Sequence, residues 1–338
     1  MVNVNIMGLG PRGLSVALEA LNRGLSVRAW DPRPLSSWSK DEVVPNLQMR
    51  SPISFDLCTN IENADYSLCH YLRRERILGG QREIEAVQER CNRGVFEGYL
   101  QWALQRALSM GLSLGPLEEG PLVIATGQRE QRVPDWTVGY DTHTLSHYLK
   151  HPVRNKRLLV LGGGQGAAEA VAYLAQNNEV TWSHGGYRID NYPAPSYAHW
   201  YNKTALGGYY RTLPLNKRAE YLSRVKSWGP SITPYIANEL AQYNYKEMPR
   251  ITNSKEIPDV DSIVLATGFY PSWPMNYPAD PILVRFPLVK PGFRLIKNVY
   301  ITGIGATAYD GPRQNSLISA GITSREIVNA IIEDAIVR

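Results

Sequence analysis

Six residues near the start, Gly8-Leu9-Gly10-Pro11-Arg12-Gly13, leave this chain few folds to choose from. They follow a short apolar run, Asn3–Met7, which reads as a buried strand. They precede Leu14, Leu18 and Leu21, spaced three or four apart as on one face of a helix. Gly24 ends that helix, Leu25–Trp30 reads as a second strand, and Asp31 stands just past it. Strand, glycine turn, helix, strand and acid in this order predict a dinucleotide-binding α/β unit, a context in which a lone G-x-G-x-x-G becomes informative. Gly8 permits the tight turn, Gly10 lets the backbone approach a pyrophosphate, and Gly13 allows close packing of helix on strand. The pyrophosphate would rest on the helix N-terminus, beside Pro11 and Arg12, and Asp31 would accept hydrogen bonds from an adenosine ribose.

The pattern returns once. Arg157–Leu161 reads as a strand, Gly162-Gly163-Gly164-Gln165-Gly166 as the turn, Ala167–Gln176 as a small-residue helix and Val180–Ser183 as the next strand. Superposing Trp30 on Trp182 aligns the two units, with a two-residue difference in spacing. The strand-end acid is missing here, since Ser183 and His184 occupy its place and Arg188 lies nearby. Without a carboxylate nothing repels a ribose 2′-phosphate, which favours NADP over NAD. His184 and Arg188 as solvated loop residues is an equally good reading. Each unit is followed by an apolar strand ending in Ala-Thr-Gly, at Ala125-Thr126-Gly127 and Ala266-Thr267-Gly268. Two such units suggest FAD in one and a nicotinamide cofactor in the other.

The expected fold is therefore α/β with two Rossmann-like dinucleotide-binding domains. The FAD domain spans residues 1–150 plus 265–338, and an inserted NADPH domain with substrate-side loops spans 151–264. A strand at Val299–Gly303 and a helix at Ser316–Ala335 complete the first domain. Further helices are expected over Glu83–Arg93, Glu97–Ser109, Lys217–Lys226 and Tyr235–Ala241, and Pro134–Pro152 reads as a crossing linker. The Tyr- and Trp-rich stretch Tyr187–Tyr210 lines an aromatic pocket or simply packs irregular loops, with nothing to choose between them.

Composition removes several other classes. The 36 Lys and Arg against 31 Asp and Glu leave a net charge of +5, and no run of like charge concentrates it. Arg73-Arg74-Glu75-Arg76 and Arg154-Asn155-Lys156-Arg157 are short, so a nucleic-acid partner is not expected. Cys58, Cys69 and Cys91 show no Cys-x-x-Cys spacing, which argues against a disulfide framework, a zinc site and a redox dithiol. No apolar stretch is long enough to span a membrane, which points to the cytoplasm. His143 and His147, four apart, have no Glu or Cys to complete a metal set and read as packing residues. Self-association is left open.

With these residues in view, the chain resembles the flavin-dependent N-hydroxylating monooxygenases, the lysine and ornithine N-monooxygenase family. Gly8–Leu14 is similar to that family's FAD turn, and Leu47–Pro52 through Asp56-Leu57-Cys58-Thr59 to the segment lining flavin and substrate. Glu97–Trp102 resembles a helix of the FAD domain, Gly162–Glu169 the NADPH turn, Ala266–Phe269 the Ala-Thr-Gly-aromatic motif, and Gly303–Arg325 the segment returning to the flavin. The resemblance implies NADPH-dependent reduction of FAD, reaction with O2 at flavin C4a to a hydroperoxide, and oxygenation of a small molecule at an amine nitrogen. The hard chemistry would belong to the cofactor, so no catalytic side chain is expected. On the FAD side it implies Thr126, Gly127, Gly305, Asp310, Asn315, Ser316 and Leu317, besides the first turn and Asp31; Met49 and Arg50 approach the isoalloxazine or the nicotinamide, and Trp38, Gln48, Thr267 and Gly268 are further cofactor-binding positions. On the NADPH side it implies Gly162, Gly164, Gln165 and Gly166, to which the missing strand-end acid adds Ser183, His184 and Arg188. Arg50, Phe55 and Asn202 fall at substrate positions, although Phe55 stands where the family has a lysine and Arg50 where it has a glutamine. A flavin reductase or oxidase, or a flavin-binding sensor without turnover, are the rival readings.

Overall fold

The computed structural model describes residues 3–35, 42–51, 53, 56–58, 66–75, 90–189, 208–227, 230–271, 277–280 and 286–336. Trp38, Phe55 and Asn202, most of the expected helix over Glu83–Arg93, and most of the aromatic stretch after Tyr187 lie outside them.

From the N-terminus, β1 (Asn3–Met7) enters α1 (Pro11–Asn22), with Pro11 at a first-turn position that needs no amide donor. Gly24, at φ +73°, turns the chain into β2 (Ser26–Trp30). Helix α2 (Leu68–Arg74) starts where the Ser67 hydroxyl accepts the His70 N–H, and α3 (Arg93–Ser109) follows. In α3 the buried residues are Phe96, Tyr99, Leu100, Ala103, Leu104 and Ala107, the three-and-four spacing of one face. Strands β3 (Ser113–Leu114), β4 (Leu122–Ile124), β5 (Gln128–Gln131) and β6 (Thr142–His143) lead to α4 (Leu145–Lys150). The second unit runs β7 (Arg157–Leu161), α5 (Gln165–Leu174), β8 (Glu179–His184) and β9 (Arg188–Ile189). Next come α6 (Gly208–Thr212), α7 (Leu215–Ser227), β10 (Ser231–Ile232), α8 (Pro234–Leu240), β11 (Lys246–Pro249), β12 (Ser262–Leu265) and β13 (Phe269–Pro271). Strands β14 (Arg294–Ile296) and β15 (Val299–Ile301), α9 (Thr307–Asp310) and α10 (Ala320–Ile336) close the chain.

Two sheets organise these elements. The first has the order β14-β15-β4-β1-β2-β3 and is parallel except for β14. The second, β11-β8-β7-β12-β6, is parallel throughout. Strands buried on both faces should be near-continuous apolar runs, and Leu158-Leu159-Val160-Leu161 is one. Leu14 and Leu18 of α1 and Ile327 and Ile331 of α10 belong to the core beside the first sheet. In the second core Ala167, Ala168, Ala170 and Val171 let α5 lie close to Val160 and the fully buried Trp182.

Two expectations are corrected. The stretch Pro134–Pro152 is no bare linker: β6 joins the edge of the second sheet beside β12, and Tyr148 of α4 bonds Ser262 at 2.6 Å. A two-residue strand has no periodicity to read. The closing helix begins at Ala320 rather than Ser316, because residues 312–319 form short 3-10 turns whose carbonyls bond the Arg12 side chain. Among the described residues no helix is long and apolar enough to cross a membrane.

Candidate functional site

The two glycine turns are built alike, bond for bond. Gly8 N–H donates to the Trp30 carbonyl at 2.9 Å, and Gly162 N–H to the Ser183 carbonyl at 3.1 Å. A Cβ on Gly8 would lie 2.7 Å from the Ala125 carbonyl oxygen, and one on Gly162 2.2 Å from that of Ala266. Each Ala-Thr-Gly corner therefore abuts its own turn. The matching bonds pair Trp30 with Ser183 and Asp31 with His184. The superposition of Trp30 on Trp182 is off by one, since two tryptophans one register apart drew the alignment to themselves. Trp182 instead sends its indole N–H to the Gly162 carbonyl at 2.6 Å.

Gly10 and Gly164 occupy the N-cap positions of α1 and α5, and neither helix start is capped by a side chain. Among the described residues, no atom beyond the adjoining residues and the helix's own backbone comes within 4 Å of a Cβ placed on Gly10, Gly164 or Gly166. An uncapped helix start with a bare, neighbour-free backbone is what an anionic pyrophosphate needs. These residues fit the phosphates of a dinucleotide at both turns. Asp31 lies against the first turn, its carboxylate accepting from Leu9 N at 2.7 Å and Arg33 N at 2.9 Å.

The first turn is brought together with the C-terminal segment. Arg12 donates to the carbonyls of Arg313, Gln314 and Ser316 and to the Ser319 hydroxyl, and a Cβ on Gly303 would meet its side chain at 3.8 Å. Gly305 and Asp310 are buried in this segment. The Asp310 carboxylate is enclosed rather than facing outward. It takes two bonds from Arg313 at 2.6 and 2.7 Å, one from Gln314 at 2.5 Å, and an ion pair from Arg211 at 2.6 Å. Leu317 packs against the first core, and Asn315 ends a 3-10 turn.

At the second turn Gln165 is held at both ends of its amide by Thr233, with the Thr233 N–H at 2.8 Å and hydroxyl at 3.3 Å. Ser183 is buried and engaged with β11, donating to the Pro249 carbonyl and accepting from Ile251 N, each at 3.0 Å. Its hydroxyl is thus committed to backbone. Arg188 is exposed on β9, whose N–H donates to Pro230. Thr267 donates to the Arg132 carbonyl, and Gln131 bonds both Thr267 and Gly268, so this corner is tied into the antiparallel β5–β13 pair. Thr126 and Gly127 occupy the equivalent corner beside Gly8.

Residues 47–50 run between the units. Met49 N–H donates to the Cys91 carbonyl, Gln48 bridges to Asn92, and Leu47 packs in the second core while Met49 packs in the first. Arg50 reaches the Ser231 hydroxyl at 2.5 Å. Nearby, Arg93 of α3 and Glu169 of α5 form a 2.5 Å ion pair with the acid almost fully enclosed. Burial pushes the Glu169 carboxyl up, against the pull of Arg93. Arg93 and Arg211 are polar residues that motif reading missed, as is Glu247, whose carboxylate lies 3.3 Å from His184 Nε2. Glu169 stood in the quoted turn motif, and a charge on the buried face of an alanine-rich helix was its signal. His143 and His147 stack on each other, centroids 3.7 Å apart, and among the described residues no group of ligands suits a metal ion.

No protein-family model matches the chain, and no curated protein sequence matches it. Solved structures do. L-lysine 6-monooxygenase from Pseudomonas syringae superposes with a TM-score of 0.73 at 16% identity, over 99% of this chain and 100% of that one. The chain has the fold of that enzyme. Ornithine hydroxylase from Pseudomonas aeruginosa gives 0.77 at 15% identity, over 99% of both chains. Bacillithiol disulfide reductase from Staphylococcus aureus gives 0.58 at 15% over 98% of both. The Rossmann-like α/β architecture expected from the glycine turns is thus shared along the whole chain.

Proposed function

We propose that the chain is an FAD- and NADPH-dependent monooxygenase, acting in the cytoplasm, that oxygenates a small molecule at an amine nitrogen. The observation that supports this is the pair of matched turns, each an uncapped helix start with a neighbour-free glycine. The fold of the lysine and ornithine hydroxylases supports it further. FAD is assigned to the unit of residues 1–150 and 265–338, and NADPH to residues 151–264, with the stretch around β6 passing to the second unit. When bound, FAD supplies electron storage and O2 activation, and NADPH the hydride. Gly10 and the helix start behind it would hold the FAD pyrophosphate by backbone, in a turn shaped by Gly8, Pro11 and Gly13, and Asp31 would hold the ribose. Gly162, Gly164, Gln165 and Gly166 hold that of NADPH. Arg12 ties down residues 313–319, and the segment that includes Gly305, Asp310, Ser316 and Leu317 would shield bound flavin from water. Gln48, Met49 and Arg50, on the stretch that runs between the two units, would orient the cofactors.

The cysteines favour an oxygenase over a dithiol–disulfide enzyme. No two are spaced as Cys-x-x-Cys, and burial pushes the Cys58 thiol up and that of Cys91 up to about 12. Purified protein loaded with FAD is to be given NADPH, O2 and a panel of amines, amino acids and aromatic compounds, with products scored by mass. The expected result is NADPH-dependent bleaching of the flavin and a product carrying one added oxygen from at least one amine. NADPH oxidation matched by peroxide, with no such product, would favour a flavin reductase or oxidase. Absence of bleaching would leave a flavin-binding sensor.

A further inference from the structure

His184 stands where the first unit has Asp31, and the two side chains make the same local bond. Asp31 accepts from the N–H two residues on, Arg33, at 2.9 Å; His184 Nδ1 accepts from the N–H two residues on, Gly186, at 3.1 Å. With Nδ1 accepting, the imidazole proton sits on Nε2. That proton points to the carboxylate of Glu247, 3.3 Å away on the neighbouring strand β11. Tyr245 donates to the other Glu247 oxygen at 3.4 Å. Burial first, then the Glu247 charge, push the Tyr187 and Tyr245 phenols up, Tyr245 to about 12. The second unit has thus not lost its acid. The carboxylate comes from the adjacent strand, through an imidazole.

We propose that Glu247, paired to His184, sets how well the second turn accepts a ribose 2′-phosphate and holds down the preference for NADPH over NADH. This rests on the reading of that turn as the nicotinamide dinucleotide site. In a unit of this architecture the acid at the end of the second strand meets the adenosine ribose 2′ position. The register pairing places His184 there, and a Cβ on Gly163 of the turn would lie 3.5 Å from the His184 Cβ. A 2′-phosphate carries nearly two negative charges. Arg250 supplies positive charge beside the exit of β8, its Cδ 3.7 Å from a Cβ placed on Gly185, and the exposed Arg188 follows four residues after His184. Glu247 opposes them. Its side chain is 46% exposed, so its effect is that of a charge at a wet surface.

The test uses the FAD-loaded protein and two probes of the adenosine site, adenosine 2′,5′-bisphosphate and 5′-AMP, titrated by calorimetry at low ionic strength. Glu247→Gln keeps the shape of a half-exposed side chain and removes only the charge. The expected result is bisphosphate binding tightened about tenfold, with 5′-AMP unchanged within about twofold. The gain should shrink as salt is added, which a merely structural role of Glu247 would not produce. In turnover, the NADPH-to-NADH ratio of kcat/KM should rise by a similar factor, through KM for NADPH. An unchanged bisphosphate-to-AMP ratio in Glu247→Gln overturns the proposal. Failure of both probes to bind the unaltered protein would instead remove the dinucleotide site itself, and the proposal with it.

Discussion

Gly10 and Gly13 lie three residues apart in one turn yet answer to different neighbours. A Cβ on Gly13 would fall 2.0 Å from the Gly8 carbonyl oxygen, a backbone atom that cannot step aside, whereas one on Gly10 meets, beyond its chain neighbours, no atom of the described residues within 4 Å. Gly13→Ala is therefore expected to cost about 2–3 kcal/mol of stability in urea unfolding. Gly10→Ala should unfold like the parent but retain less FAD, measured as flavin absorbance after gel filtration. Equal flavin content in the parent and Gly10→Ala would count against a pyrophosphate at that backbone. Asp56 shows a second residue-scale balance. Leu57 N and Leu68 N, each at 2.5 Å, and the Tyr99 hydroxyl all donate to its carboxylate. Burial outweighs them and lifts the group from 3.8 to about 6. A raised native value means that the folded state holds this proton more tightly than the unfolded chain does. The contribution is then full below about pH 4 and is lost as the pH climbs through 6. Between pH 4 and 7 the parent should lose about 2 kcal/mol that Asp56→Asn does not lose, read from urea midpoints across that range. Parallel profiles for the two proteins would refute this.

Between elements, the joint of α3 with α5 turns on Arg93 and Glu169. Removing the arginine alone leaves an enclosed carboxylate without its partner, so Arg93→Met is expected to cost about 3–5 kcal/mol. Replacing both by methionine should recover much of that loss, because no buried charge remains. Urea midpoints of the single and double variants decide it, and a double variant less stable than the single would contradict the account. This joint was invisible to pattern reading for a physical reason: the partners are 76 residues apart, and neither helix signals its neighbour. What the pattern did carry was local. β1, α1, β7 and the strand at Val299 follow directly from apolar period and glycine placement, since those signals act within a few residues. β6 and the start of α10 were misread because their geometry is set from outside, by pairing with β12 and by the Arg12 side chain. The same holds at the candidate site. The turns and their Ala-Thr-Gly corners were legible, while Glu247 and Arg211 reach it from distant strands and helices that only the fold brings near.

At the scale of the whole molecule, the two units repeat one construction, and the strands leaving their equivalent corners, β5 and β13, pair with each other. The second unit is threaded into the first between β4 and β15, which are neighbours in the first sheet. That threading bears on how the chain is made. A nascent chain presents Leu122–Ile124 long before Val299–Ile301 has been synthesised, so the inner edge of the first sheet stays unpaired while the whole second unit emerges. The later unit, with every strand of its sheet already in hand by Leu265, is able to mature first. The earlier one must wait for its last strand, and the interval in which its open edge faces other chains is set by the length of the insertion.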